Sequence, residues 1–224
     1  HNDFVIRIRS YRGNHDAIEQ RLGLIKQHGV PNYFASQRFG HDMSNLEWAG
    51  KMLTEGVRVR DRFRKNMYLS AARSWLFNLV LAERIRNDTW NRAINGDCMS
   101  LSRSRACFSI DVVDEEIANR VNDLDISPSG PLPGRGRSMV TADAALLENK
   151  ILTDWAGWIG GLENAGQELA RRALCLPVDD LLWEWLKEDV LQLAFSLPPG
   201  SYATAVLREL GDITEPAAGE RAVA

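Results

Sequence analysis

Two side chains at alternate positions, Asn32 and Phe34, have the types needed to hold a flat heterocycle: an amide for its edge and a phenyl ring for its face. They lie in the run Pro31-Asn32-Tyr33-Phe34-Ala35-Ser36-Gln37-Arg38-Phe39-Gly40. An extended stretch from Val30 to Ala35, expected from the Val-Pro start and the aromatic content, sets Asn32 and Phe34 on one face and Tyr33 on the other. Stacking a nucleobase on such a ring is worth roughly 1–3 kcal/mol, and Arg38 lies near enough in sequence to meet a phosphate. The same spacing also describes an aromatic strand packed into a core, which on spacing alone is the commoner outcome.

Charge is distributed unevenly around this motif. The whole chain carries −3, but residues through Arg73 hold 13 lysines and arginines against 7 acids, and the remainder holds 14 against 23. Local charge governs phosphate binding, and the densest cluster is Arg58, Arg60, Arg62, Arg64 and Lys65. A solvated basic turn would have the same composition. Cys98, Cys107 and Cys175 show no paired metal-ligand spacing, so reduced, mostly buried thiols are expected. The four histidines, His1, His15, His28 and His41, form no metal-binding pattern. No apolar run approaches the ~20 residues that cross a bilayer, and the expected location is cytoplasmic.

The elements that must position these residues read as a mixture of strands and helices. Phe4, Ile6 and Ile8 alternate as in a half-buried strand, and Asn14 to Gln27 reads as a helix with Ile18, Leu22 and Ile25 inward and Gly29 as its stop. Ser44-Asn45-Leu46-Glu47 has the form of a capping box, with a helix following to about Leu53. Asn66 to Arg86 reads as a long buried helix in which Asn78 must find hydrogen-bond partners, a structural role weighing above an RNA contact. Strands follow at Cys98 to Leu101 and Ala106 to Asp111, around a basic turn at Arg103 and Arg105, and then a helix from Asp114 to Asp123. Ser127 to Gly136 reads as a loop from its Pro, Gly and Ser content; its Gly134-Arg135-Gly136-Arg137 lacks a P-loop ending. A helix is expected from Thr141 to Trp158, broken at Gly160-Gly161 and resuming from Glu163 to Leu174. Leu191, Leu193 and Phe195 alternate in a last strand, Ser201 caps a helix to Leu210, and a flexible tail begins at about residue 211.

Three stretches in order carry a family resemblance: the Asn32 to Gly40 motif, Tyr68-Leu69-Ser70-Ala71-Ala72-Arg73-Ser74-Trp75-Leu76-Phe77-Asn78, and Leu197-Pro198-Pro199-Gly200-Ser201-Tyr202-Ala203-Thr204-Ala205-Val206-Leu207-Arg208-Glu209-Leu210. Together they resemble the TruD family of tRNA pseudouridine synthases, with Ala35 standing where the family has Gly. The resemblance implies an α+β (α/β) protein: a pseudouridine-synthase-type catalytic domain with a mixed or antiparallel sheet, interrupted by an α/β insertion domain. The catalytic domain would comprise residues 1–56 and 177–224, with the insertion at 57–176.

The resemblance further implies isomerisation of uridine 13 in the D stem of tRNA to pseudouridine, with no cofactor and no metal. Asn32 would bond the uracil edge and Phe34 stack on it, with Gln37, Arg38 and Phe39 shaping the pocket. Tyr202, Thr204 and Arg208 would support the site, and Arg58, Arg60, Arg62, Arg64 and Lys65 would meet the RNA backbone. The family's catalytic aspartate sits upstream in a Gly-x-Lys-Asp-Arg-type segment that does not occur here, so no catalytic residue is expected in this chain and the chain alone is expected to be inactive. Asp61, in Val59-Arg60-Asp61-Arg62, is expected to be a surface charge. The alternative is a non-catalytic RNA-binding module or inactive fragment that keeps the cleft; an unrelated small-molecule enzyme would show no tRNA affinity. The expected partner is tRNA, and a monomer is expected.

Overall fold

Alternation in the first strand and in the last long strand sets their pairing. The computed structural model describes residues 2–102, 104 and 106–214. In chain order the elements are β1 (Asn2–Ile8), α1 (His15–His28), β2 (Val30–Pro31), α2 (Ser44–Thr54), α3 (Arg62–Arg86), β3 (Cys98–Leu101), β4 (Cys107–Ser109), α4 (Glu115–Asn122), β5 (Ile126–Leu132), α5 (Ala142–Leu152), α6 (Ala156–Asn164), β6 (Ala170–Ala173), β7 (Cys175–Leu176), β8 (Asp179–Lys187), β9 (Val190–Leu197) and α7 (Ala203–Arg208). The fold is α+β with antiparallel sheets. The chain forms two compact units, one from His1–Val30 with Val178–Ala224 and one from Pro31–Pro177. The sequence-based inner segment starts at Val57; by compactness Pro31–Gly56 goes with α3.

The unit made from both ends holds a sheet in the order β1-β9-β8. Phe4 faces Phe195, Ile6 faces Leu193 and Ile8 faces Leu191 across the β1–β9 ladder, and the two phenyl rings stack at 5.5 Å. The period of two buries Leu191, Leu193, Phe195 and Leu197. Helix α1 starts where Asn14 accepts from the backbone N–H groups of Asp16 and Ala17, ends at Gly29, and buries Ile18, Leu22 and Ile25 as expected. His15 stacks on Trp185 at 3.9 Å, the Trp185 indole donates to Glu19 at 2.9 Å, and Arg21 pairs with Glu209 at 3.1 Å. These contacts tie α1 to β8 and to the end of α7. Ser201 does not cap α7, which begins two positions later behind Tyr202 with no side-chain cap.

The unit Pro31–Pro177 holds a sheet in the order β4-β3-β5-β6. The Pro-, Gly- and Ser-rich stretch expected to be a loop supplies β5. Its two prolines are tolerated because the ladders divide the strand: β3 pairs with Ile126 to Pro128, and β6 with Ser129 to Leu132. Gly130 lets α3 approach, since a Cβ there would lie 3.0 Å from the Phe77 ring and 2.9 Å from Leu174. The helix expected from Glu163 to Leu174 is likewise overturned: α6 ends at Asn164 and Ala170–Ala173 joins the sheet. Alanine, leucine and arginine favour helix, and the ladder to β5 outweighs that weak preference.

Helices α2, α3 and α6 share a core of Ala49, Tyr68, Leu69, Ala72, Leu76 and Leu162. The glycine pair does not break a helix: α6 runs through Gly160 and Gly161, while the expected Thr141 helix is interrupted earlier, by a 3-10 turn at Thr153–Trp155. Helix α3 starts at Arg62, earlier than expected, because Asp61 accepts from the backbone N–H groups of Phe63 and Arg64. Asp61 is thus an exposed helix cap. The capping box at Ser44 is not formed; Ser44 is already helical behind a left-handed Met43. Deeper in the unit, Arg84 forms a buried pair with Asp97 at 2.9 Å, and Asp114 caps α4. The turn at Arg103 and Arg105, and the tail beyond residue 214, lie outside the described residues.

A Cβ on Gly161 would lie 2.7 Å from the Leu53 backbone oxygen, whereas one on Gly160 would meet nothing within 4 Å. Gly161→Ala should therefore destabilise by about 1–3 kcal/mol and Gly160→Ala should stabilise by up to about 1 kcal/mol. Thermal denaturation checks this by the opposite signs of the two shifts; shifts of the same sign would refute the close α2–α6 approach.

Candidate nucleic-acid interface

Of the stretch expected to be extended, only Val30–Pro31 is strand. The backbone turns at once, with Tyr33 N–H bonding back to Pro31 O at 2.9 Å, and Ser36–Phe39 forms a 3-10 turn. The expected extended run to Ala35 is therefore absent, and Tyr33 and Phe34 both pack against the core of Phe77, Leu81 and Leu174. Asn78 in α3 holds this turn. Its Oδ1 accepts from Phe34 N–H and its Nδ2 donates to Phe34 O, each at 3.0 Å. Phe34 and Phe77 meet edge to face at 5.5 Å.

Asn32 and Phe34 still come together, through a residue absent from the expected set. Asn32 is 6% exposed; its Nδ2 donates to Ala173 O at 2.8 Å, and its Oδ1 accepts from Arg172 Nη2 at 2.5 Å. The Arg172 guanidinium lies 4.2 Å from the centroid of the Phe34 ring and 5.8 Å from that of Phe77. Arg38 is a second guanidinium over Phe34, at 5.7 Å, and donates to Ser70 Oγ at 3.1 Å. Phe34 is thus a half-buried ring flanked by two cations, a geometry in which the ring quadrupole attracts both.

Strand β6 explains how Arg172 gets there. Adjacent strand residues point to opposite faces, so Arg171 turns to a forked pair with Glu148, at 3.0 and 2.7 Å, while Arg172 turns to Asn32. Burial pushes the Glu148 carboxyl above the ordinary carboxylate range, against the pull of Arg171. Arg73, in the second resembling stretch, donates to Leu132 O at 3.0 Å and Glu168 O at 2.7 Å, and burial lowers its pKa. The signal for Arg172 was the Arg171-Arg172 doublet itself, hidden once that stretch was given a helical period.

Gln37 is exposed on the 3-10 turn, and Phe39 is buried edge to face against Trp75 at 5.7 Å. Arg58, Arg60, Arg62 and Arg64 are exposed and Lys65 is half-buried, and the last three of these, Arg62, Arg64 and Lys65, lie in the first turn of α3. Tyr202 is half-buried at the start of α7, with Thr204 and Arg208 exposed on that helix. Among the described residues no group of three or more His, Cys, Asp or Glu could hold a metal, and no helix is long and apolar enough to cross a membrane. Asn78→Leu, which strands both polar groups of Phe34, should cost about 2–4 kcal/mol in urea denaturation. A change within about 0.5 kcal/mol would mean that Asn78 does not pin the motif.

The family model described as tRNA pseudouridine synthase D (TruD) matches residues 1–60 and 57–210. The chain is similar to the tRNA pseudouridine synthase D of Methylococcus capsulatus, at 46% identity over 209 residues, covering 93% of this chain and 59% of that protein. It is 42% identical over 210 residues to the protein of the same name from Legionella pneumophila, covering 93% and 62%. The chain thus spans about three-fifths of the length of these curated relatives. Its fold is similar to the crystal structure of a putative tRNA pseudouridine synthase D (TruD) from Methanosarcina mazei, with a TM-score of 0.61 at 20% identity, covering 93% of this chain and 68% of that one. On the extent of the family match and the identity to its members, the chain belongs to the TruD family of tRNA pseudouridine synthases.

Proposed function

We propose that this chain forms the base-holding part of an enzyme that isomerises uridine 13 in the D stem of tRNA to pseudouridine. The observation that carries this proposal is Phe34, a half-buried ring flanked by the guanidiniums of Arg38 and Arg172 within the family's motif. In the reaction the C1′–N1 bond breaks, the uracil turns, and a C1′–C5 bond forms. C5 loses a proton and N1 gains one, so the atoms balance without a cofactor. A detached uracil must be held by its plane while its edge rotates, and a stacked ring permits that because stacking is tolerant of in-plane orientation.

The energies set what else is needed. Extracting a base from a stem costs a few kcal/mol, and one stacked ring returns roughly 1–3 kcal/mol, so the ring by itself is not enough. Phosphate contacts supply the rest and fix the register; Arg38, Arg58, Arg60, Arg62, Arg64 and Lys65 are assigned that work. Asn32 acts on the base chiefly through Arg172, whose guanidinium it anchors beside the ring. Gln37 borders the seat, Phe39 supports it from the core, and Tyr202, Thr204 and Arg208 are carried over as supports of the site or the RNA backbone. The carboxylate that acts at the sugar, as covalent or charge-stabilising group, is assigned to the family's aspartate segment, which does not occur among these 224 residues.

Tritium release from tRNA labelled at uridine C5 tests the assignment, comparing this polypeptide with a longer one that carries the aspartate segment. Release is expected only from the longer polypeptide. Release from this polypeptide alone would place the carboxylate within it, tRNA binding without release by the longer one would mean a non-catalytic RNA-binding module, and absence of tRNA binding would end the proposal. In the longer polypeptide Phe34→Ala should lower turnover by at least tenfold while changing tRNA affinity little, about 1.4 kcal/mol on the barrier. Arg58→Ala with Arg60→Ala should do the reverse and flatten the salt dependence of binding by about one to two log units per log unit of salt. Equal losses in both assays would refute this division of labour.

A further inference from the structure

Phe63 is the most exposed large apolar side chain among the described residues, at 77%. It stands at the start of α3 in Arg58-Val59-Arg60-Asp61-Arg62-Phe63-Arg64-Lys65. A single exposed apolar residue is ordinary; its company here is not. Arg58, Arg60, Arg62 and Arg64, which flank it in sequence, are exposed; the one acid in the run, Asp61, caps α3 through Phe63 N–H at 2.8 Å and Arg64 N–H at 3.2 Å and lies 3.8 Å from the Arg64 guanidinium, which leaves Arg58, Arg60 and Arg62 without an acid in the run to neutralise them. That cap also fixes the backbone that presents the ring. A phenyl ring set among cations matches the recognition chemistry of unpaired nucleic acid, in which cations follow the phosphates and the ring takes the face of a base.

Helix α3 gives this patch a fixed relation to the Phe34 seat. The same 25-residue helix carries Phe63 near its start and Phe77 and Asn78, the residues that hold Phe34, beyond its middle. At 1.5 Å per residue, Phe63 and Phe77 are about 21 Å apart along the axis. We infer that Phe63 is a second aromatic station, which stacks on an unpaired nucleotide of the same RNA several nucleotides from the target base. The inference rests on the assignment of this chain to a tRNA-modifying enzyme. A paired base buries both faces in its stack, so the partner is a loop or bulge nucleotide, and α3 acts as a spacer between it and the base seat.

The test uses the longer, catalytically complete polypeptide and an unmodified tRNA transcript. Phe63→Ala should weaken tRNA binding about tenfold, raise KM with kcat unchanged, and leave the slope of log affinity against log salt unchanged, because a phenyl ring releases no counterions. Phe63→Trp should restore the affinity. A photo-reactive benzoylphenylalanine at position 63 should cross-link to an unpaired nucleotide. Normal binding by Phe63→Ala, or a cross-link to protein or to a paired nucleotide, would overturn the inference while leaving the base seat intact. Loss of tRNA binding by the unaltered protein would instead remove the enzyme assignment and this inference with it.

Discussion

One carboxamide governs the architecture around the motif. Asn78 sits in a helix whose neighbouring positions are apolar, and an unsatisfied amide there would cost more than a typical hydrogen bond returns. It is satisfied by the N–H and the C=O of a single residue, Phe34. A side chain that bonds both polar groups of one residue imitates a strand neighbour, and it replaces the ladder that the motif leaves after Pro31. The position of the Phe34 ring, its edge contact with Phe77 and its place beneath Arg172 all follow from that pair of bonds.

The motif and strand β6 then constrain one another. Asn32 takes its backbone and side-chain partners from Leu174, Ala173 and Arg172, consecutive residues at the end of that strand and just past it. Arg171, adjacent to them, is held on the opposite face by Glu148. Neither arginine can exchange roles with the other without turning the strand over. The orientation of a cation above Phe34 is therefore set by a buried ion pair on the far side of the sheet.

Elements with a strong period were legible in the sequence: β1, α1 and β9 each have one face that the pattern marks as inward, and α3 was legible from an apolar stretch with no clear polar face. Asn78 was legible too, because an amide on an apolar helix face demands partners. What failed had no period to read. Strand β5 is buried along almost its whole length and carries two prolines, so neither alternation nor propensity marked it, and its strand state depends on β3 and β6. Ala170–Ala173 has the composition of a helix, and giving it one concealed Arg172. The caps at Ser44 and Ser201 failed because a serine can cap only if the chain enters the helix there, and distant packing decides the point of entry.

The ladder between β1 and β9 joins Asn2 to Leu197, from opposite ends of the sequence. During synthesis the pairing of Phe4, Ile6 and Ile8 with Phe195, Leu193 and Leu191 must wait until β9 has left the ribosome. Contacts so distant in sequence form slowly and leave apolar strands open to wrong partners. The Pro31–Pro177 unit contains its own partners and can complete its sheet while β9 is still untranslated. Ribosome-bound intermediates would accordingly contain a finished middle and a β1 whose β9 edge is still open, a natural client for a chaperone that binds short apolar β segments.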